Sequence, residues 1–143
     1  MSKIKRIIKK FKSKKIKLTP QRLEIIDILM KYKIHPTAET IYKIIKKKFP
    51  SISLATIYNT LEILEELKEL RKLKINNKNV INYEFNMDPH DHFYCEKCEN
   101  IYDVSGIKSQ DKKVIEEHAV QETQIYYKGT CKECNTKKEE KSG

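Results

Sequence analysis

Two Cys-x2-Cys pairs, Cys95/Cys98 and Cys131/Cys134, constrain this chain more than any other feature. A tetrahedral thiolate site needs four converging sulfurs, and two tight knuckles on neighbouring strands supply them with little chain. Four cysteines close the coordination sphere and leave no water to activate, so the pattern reads as a structural zinc. The bland alternative is four free or redox-active thiols. The start, Met-Ser-Lys-Ile-Lys-Arg, is positively charged but has no apolar core or cleavage site behind it, so it is not read as a secretory signal. No apolar run approaches a membrane span. A cytoplasmic setting is expected, in which paired cysteines are ligands rather than disulfides.

The first knuckle sits inside a denser cluster. Residues 90–103 hold His90, His92, Cys95, Cys98 and Asp103 among other carboxylates. His90 and His92, at i and i+2 of an extended segment, project to the same side as paired ligands should. Imidazoles and carboxylates are borderline-to-hard donors, a different class from the thiolates beside them.

Charge divides the chain. Residues 1–50 carry 16 Lys/Arg against 3 Asp/Glu, residues 51–85 balance at 5 and 5, and residues 86–143 carry 9 against 12. A basic front joined to a slightly acidic, Cys/His-bearing back implies a polyanion-binding module and a separate metal module. Lysines that merely solvate helices are the competing explanation.

In chain order, Ile4, Ile7, Ile8 and Phe11 form an apolar stripe on a lysine-rich helix over 3–14. Thr19-Pro20 starts a second helix with Leu23, Ile26, Leu29 and Met30 inward. Thr37 caps a third, with Ala38, Ile41, Ile44 and Ile45 inward. Ser53 caps a fourth, whose buried stripe is Ile57, Leu61, Leu64 and Leu67. Ala55, Thr56, Tyr58, Asn59 and Thr60 lie off that stripe, near the helix start. Such side chains suit a helix that enters a DNA major groove, although most helix starts merely face solvent. Alternation over 71–75 and 80–85, with a turn at 76–79, predicts a hairpin. The expected fold is α+β. A winged helix-turn-helix domain over 1–85 and a hinge over 86–91 precede a small α/β dimerisation domain over 92–143, which carries the four-cysteine zinc site and a charged tail. Within it, strands are expected from His92 to Tyr94, from Ile101 to Val104 and from Gln124 to Lys128, with a helix over 107–119.

Five segments in order give the chain a family likeness: Leu-Thr-Pro-Gln-Arg (18–22), His-Pro-Thr-Ala-Glu-Thr-Ile-Tyr (35–42), Ser-Leu-Ala-Thr-Ile-Tyr-Asn-Thr-Leu (53–61), His-x-His-x2-Cys-x2-Cys (90–98) and Cys-x2-Cys (131–134). From about residue 5 to residue 135 it resembles the ferric uptake regulator family of bacterial metal-dependent repressors. The resemblance implies a homodimer that binds operator DNA and is not an enzyme. It also implies a regulatory metal site whose ligands match His35, Glu84, His90, His92 and Asp103. By themselves, His35 before a helix would be a cap or surface residue and Glu84 an ordinary strand carboxylate. Fe(II), Mn(II) or Zn(II) would suit that donor set.

For DNA, the resemblance points to Tyr58 and its neighbours in the groove and Arg22 near the backbone. Ala55, Thr56 and Tyr58 can meet thymine methyls and Asn59 can pair with adenine, so an A·T-rich operator is expected. Two positions resemble the peroxide-sensing branch: Asp103, where iron-uptake members carry Glu, and Asn59 after Tyr58, where they carry Arg. In that branch bound iron reacts with peroxide and a ligand histidine is oxidised, at positions matching His35 and His90. Glu84 departs from the pattern, since that branch carries Asp there. An iron- or zinc-uptake regulator of the same family is the alternative. A third metal site found in some relatives is not expected, because Pro89 and the stretch Glu122-Thr123-Gln124 stand where its histidines would be. Outside the family, the rivals are a zinc hydrolase using His90, His92 and a carboxylate, for which nothing identifiable forms a substrate pocket or oxyanion hole, and a metal-binding interaction module whose basic face meets RNA or membrane.

Overall fold

A computed structural model describes residues 2–32, 35–75, 80–85, 90–104, 113–121 and 123–136. The chain falls into two compact units, Met1–Met87 and Asp88–Gly143. The first is helical with a small hairpin and the second is built on strands, which makes the class α+β.

The first unit opens with α1 (Lys3–Ser13), α2 (Pro20–Lys31), α3 (Ala38–Ile45) and α4 (Leu54–Glu66). Each helix begins where a hydroxyl can take an orphan N–H: Ser2, Thr19, Thr37 and Ser53 accept from Lys5, Arg22, Thr40 and Thr56. Pro20 adds a pre-set φ to the first turn of α2. The core joins Ile7 and Phe11 of α1 to Ile25, Ile26, Ile28 and Leu29 of α2. Ala38, Ile41 and Ile45 of α3 and Ile57, Leu61 and Leu64 of α4 complete it.

Some apolar faces sit differently from the sequence expectation. Leu23 and Met30 of α2 are exposed while Ile25 and Ile28 are buried, and Ile8 of α1 faces solvent. α2 is apolar at so many positions that several stripes fit its sequence, and the neighbouring helices decide which one is covered. Strands β1 (Arg71–Leu73) and β2 (Asn82–Glu84) pair antiparallel with Arg71 opposite Glu84. The expected turn at 76–79 lies outside the described residues.

In the second unit β3 (Asp91–Cys95) is central, antiparallel to β4 (Ile101–Val104) and parallel to β7 (Tyr126–Gly129). Asp91, counted with the hinge from sequence, is a buried residue of β3. Between β4 and β7 the sequence predicts a helix ending at Ala119. Its described part is instead a hairpin, β5 (Val114–Ile115) and β6 (His118–Ala119), turned by Glu116 and Glu117, both at positive φ. Two consecutive positive φ values in a two-residue loop match the twist of the flanking strands, at a steric cost that non-glycine residues carry. Residues 107–112 of the expected helix, and Pro89 and Glu122 at the positions of the third metal site, lie outside the described residues.

Candidate functional site

The four cysteines converge. One sulfur from each lies within 4.8 Å of the others, with Cys98 Sγ and Cys131 Sγ 3.8 Å apart. Sulfurs about 2.3 Å from a central zinc would form a tetrahedron with edges of about 3.8 Å, so the spacing fits that ion. β3 ends at Cys95, and Glu99, at positive φ, closes the knuckle by donating its N–H to the Cys95 carbonyl oxygen (2.9 Å). β7 delivers the second pair. Gly129 sits opposite Cys95 in the parallel register, two residues before Cys131.

Backbone N–H groups aim at the sulfurs. Cys131 and Cys98 donate to Cys95 Sγ at 3.3 and 3.5 Å, and Cys134 donates to Cys131 Sγ at 3.5 Å. Burial pushes the Cys95 thiol up. The N–H groups of Cys131, Cys98 and Lys97 outweigh it and bring the thiol down to about 6. Cys131 is likewise lowered, chiefly by the Cys134 N–H. The Cys131 sulfur beside it holds the Cys134 thiol up at about 12. Without a cation, four clustered thiols cannot all ionise. A divalent ion would remove that conflict, and four soft donors in this geometry suit zinc.

The other expected ligands form two groups, one per unit. In the first unit His35 Nε2 lies 2.5 Å from Glu84 Oε2, with both side chains buried. Register explains the pairing. Tyr83 N–H donates to the Pro36 carbonyl at 2.9 Å and Asn82 Nδ2 to the His35 carbonyl at 2.8 Å, so residues 35–36 run beside β2 and bring the imidazole to Glu84. In the second unit His90 and His92 share a face with ring centroids 4.6 Å apart. Asp103, opposite His92 in register, places Oδ1 3.2 Å from His90 Nε2 and 3.6 Å from His92 Nε2. His92 is buried, whereas Asp103 is 42% exposed.

The expected reading face lies at the start of α4. Ala55, Tyr58 and Asn59 are exposed there and Thr56 is half-buried; Thr60, expected beside them off the buried stripe, instead faces the core with Ile57, Leu61 and Leu64, its hydroxyl satisfied by the Thr56 carbonyl. Tyr58 Oη donates to Glu39 Oε1 at 2.8 Å, and Arg22 Nη2 donates to Asn59 Oδ1 at 3.2 Å.

Sequence reasoning missed three features. Glu39 is one. The second is buried Glu69, gripped by Arg6 at 2.7 Å and Lys10 at 2.7 Å. The third is the Tyr102 hydroxyl, 3.9 Å from Cys98 Sγ. Arg6 and Glu69 are 63 residues apart in sequence, and no local pattern connects them.

The model of the ferric uptake regulator family matches residues 13–136. The peroxide-responsive repressor PerR of Staphylococcus epidermidis is 32% identical over 123 residues, which cover 83% of this chain and 81% of that protein. The solved structure of the Campylobacter jejuni peroxide stress regulator is 29% identical, with a TM-score of 0.63 over 94% of this chain and 100% of the other. The Helicobacter pylori ferric uptake regulator, described as having three functional metal-binding sites, shares the fold. Its TM-score is 0.72 at 24% identity, covering 92% of this chain and 91% of the other. With the four-cysteine cluster, the two His/carboxylate groups and the four-helix unit in place, the chain belongs to the ferric uptake regulator family.

Proposed function

We propose that the protein is a homodimeric, metal-activated repressor of transcription that responds to peroxide. Members of its family are transcriptional regulators, not enzymes. The observation that carries the reading is the division of ligands. His35 and Glu84 are buried in the basic helical unit, while His90, His92 and Asp103 gather in the sheet unit. One regulatory ion drawing on all five would favour a single DNA-binding state, by as much as its affinity for that state exceeds its affinity for others. The four-cysteine group holds zinc and keeps β3 and β7 in register.

In this reading the first unit is a winged helix-turn-helix over 1–85, with the β1–β2 hairpin as its wing. The hinge ends before Asp91, and the strand unit from β3 onward forms the dimerisation domain. Two copies of α4 enter successive major grooves of an A·T-rich operator, with Ala55, Thr56, Tyr58 and Asn59 at the bases and Arg22 beside them. Lysines of α1 contribute phosphate contacts and a steep salt dependence. No helix among the described residues is long and apolar enough to cross a membrane, and a cytoplasmic protein fits this role.

Bound Fe(II) would supply the redox chemistry with peroxide, whereas Mn(II) would hold the site without reacting. The chain supplies the imidazoles of His35 and His90 as oxidation targets. Losing either donor weakens the set, and with it the hold on DNA. The names of the S. epidermidis and C. jejuni relatives support the peroxide reading. Glu84 favours the second reading, regulation of iron or zinc uptake, because its side chain is one methylene longer than the Asp of the peroxide branch.

The test is mass spectrometry of peptides containing His35 and His90 after peroxide treatment of iron-loaded and manganese-loaded protein, with operator binding measured in parallel. The expected result is one added oxygen atom on a histidine and loss of binding in the iron form alone. Binding lost with unmodified histidines, or set by metal supply alone, supports the uptake reading.

A further inference from the structure

We propose that Arg22 is a positioning residue for base readout: its guanidinium fixes the Asn59 amide in one orientation, and discrimination at the base Asn59 reads depends on it. The inference rests on the DNA-binding reading above and adds a role that a phosphate contact would not have.

Arg22 is held at both ends. Its backbone N–H donates to the Thr19 hydroxyl, the cap of α2, at 3.2 Å. At the other end the guanidinium forks. Nη1 donates to the Lys17 carbonyl oxygen at 2.5 Å and Nη2 donates to Asn59 Oδ1 at 3.2 Å. A guanidinium has donors and no acceptor, so the amide atom facing it must be the oxygen. The usual ambiguity between the two ends of an asparagine amide is thereby removed by chemistry.

Asn59 is consequently left with its NH2 group and one remaining lone pair of Oδ1 available to a ligand. That donor–acceptor pair matches the major-groove edge of adenine, where N7 accepts and the N6 amino group donates. A free amide would have to be turned and frozen on binding, and the latch removes that cost beforehand. Lysine could not replace arginine here, because reaching a carbonyl and an amide together in one plane requires the rigid fork. The neighbouring Tyr58 is tied by a different helix, through Glu39 in the first turn of α3. The exposed start of α4 is therefore held from α2 and from α3 before any DNA arrives.

A phosphate contact and a positioning latch give different measurements. A lost phosphate contact lowers affinity for all sequences alike and makes the salt dependence shallower, by about one unit of slope. A lost latch lowers discrimination at one base pair and leaves the slope unchanged. Lysine at 22 would keep the phosphate contact and break the latch.

The experiment selects duplexes from a random-sequence library with full-length, manganese-loaded protein. Binding of the wild type, Asn59→Ala and Arg22→Lys to the selected duplex and its single-base variants is then measured over a range of salt. The wild type is expected to enrich an A·T-rich motif, and Asn59→Ala to flatten preference at one base pair per half-site. Arg22→Lys should flatten the same pair, losing about tenfold in discrimination, with the wild-type salt slope and melting temperature. Full discrimination in Arg22→Lys, or a loss at a different base pair, overturns the proposal while leaving DNA binding intact. If the wild type enriches no motif, the DNA-binding reading itself fails, and this inference with it.

Discussion

Single residues decide how tightly the basic front of the chain is tied to its core. Glu69 follows α4 and is only 1% exposed, yet it is charged and paired with Arg6 and Lys10 of α1. The Arg6 guanidinium beside it, aided by Lys10, holds its carboxyl down at about 2 against an ordinary 4.5. Lys10 also donates to the Leu67 carbonyl at 2.9 Å, and Lys3 reaches the Phe85 carbonyl while lying over the Phe85 ring. Two of the lysines that read as a solvated, phosphate-seeking face, Lys3 and Lys10, are thus structural clamps. Because the folded-state pKa is depressed, this stabilisation is present above the ordinary carboxylate pKa and is lost as pH falls from about 4.5 through about 2. Replacing Glu69 with Gln should cost about 2 kcal/mol at neutral pH. That is below the value for a fully buried pair because Arg6 and Lys10 remain partly solvated. Urea unfolding at pH 7 and pH 3 checks it, and the gap between variant and wild type should narrow at the lower pH. Nothing around position 69 in the sequence marks this carboxylate as buried, since the residues that compensate it come from the first helix.

At the scale of elements, caps and knuckles are legible in the sequence and strand partners are not. Thr19, Thr37 and Ser53 cap their helices through their own side chains, as the sequence indicates, and Ser2 does the same for α1. Residues 114–119 form a hairpin where the sequence predicts helix. Periodicity over six residues is weak, and the β-branched Val114-Ile115 pair fits a strand as well as a helix. The parallel pairing of β3 with β7 joins segments far apart in sequence, so only the folded chain reveals it. That pairing brings Cys131 to Cys95, and a bound zinc should in turn hold it. Replacing Cys131 with Ser should lower zinc content below one per chain and melt the strand unit, while the helical unit around Leu61 and Ile41 keeps its cooperative transition. Zinc analysis together with calorimetry would resolve the two. Zinc binding should also release protons, because the Cys134 thiol is held up at about 12 until a cation arrives. Apparent zinc affinity should therefore fall steeply as pH is lowered, as a chelator competition at several pH values would show.

For the whole molecule, sequence alone gave the division into a basic, helix-patterned part and a Cys/His part, the two Cys-x2-Cys pairs and the family motifs. Those depend on local spacing, charge and composition, which survive without knowledge of the fold. It also named His35, Glu84, His90, His92 and Asp103, but for His35 and Glu84 only by likeness, since each is unremarkable in its own segment. Tertiary structure showed which of them meet within each unit. Residues 35–36 run beside β2 and join a buried imidazole to a buried carboxylate, and the β3–β4 register sets Asp103 against two histidines. It also revealed the partners of the proposed reading face, Arg22 on Asn59 and Glu39 on Tyr58. Contacts of that kind join residues from different helices, and their existence depends on how the helices pack. Spacing along the chain can show which residues are suited to bind a metal or a base; only packing decides which of them are brought together, and in what orientation.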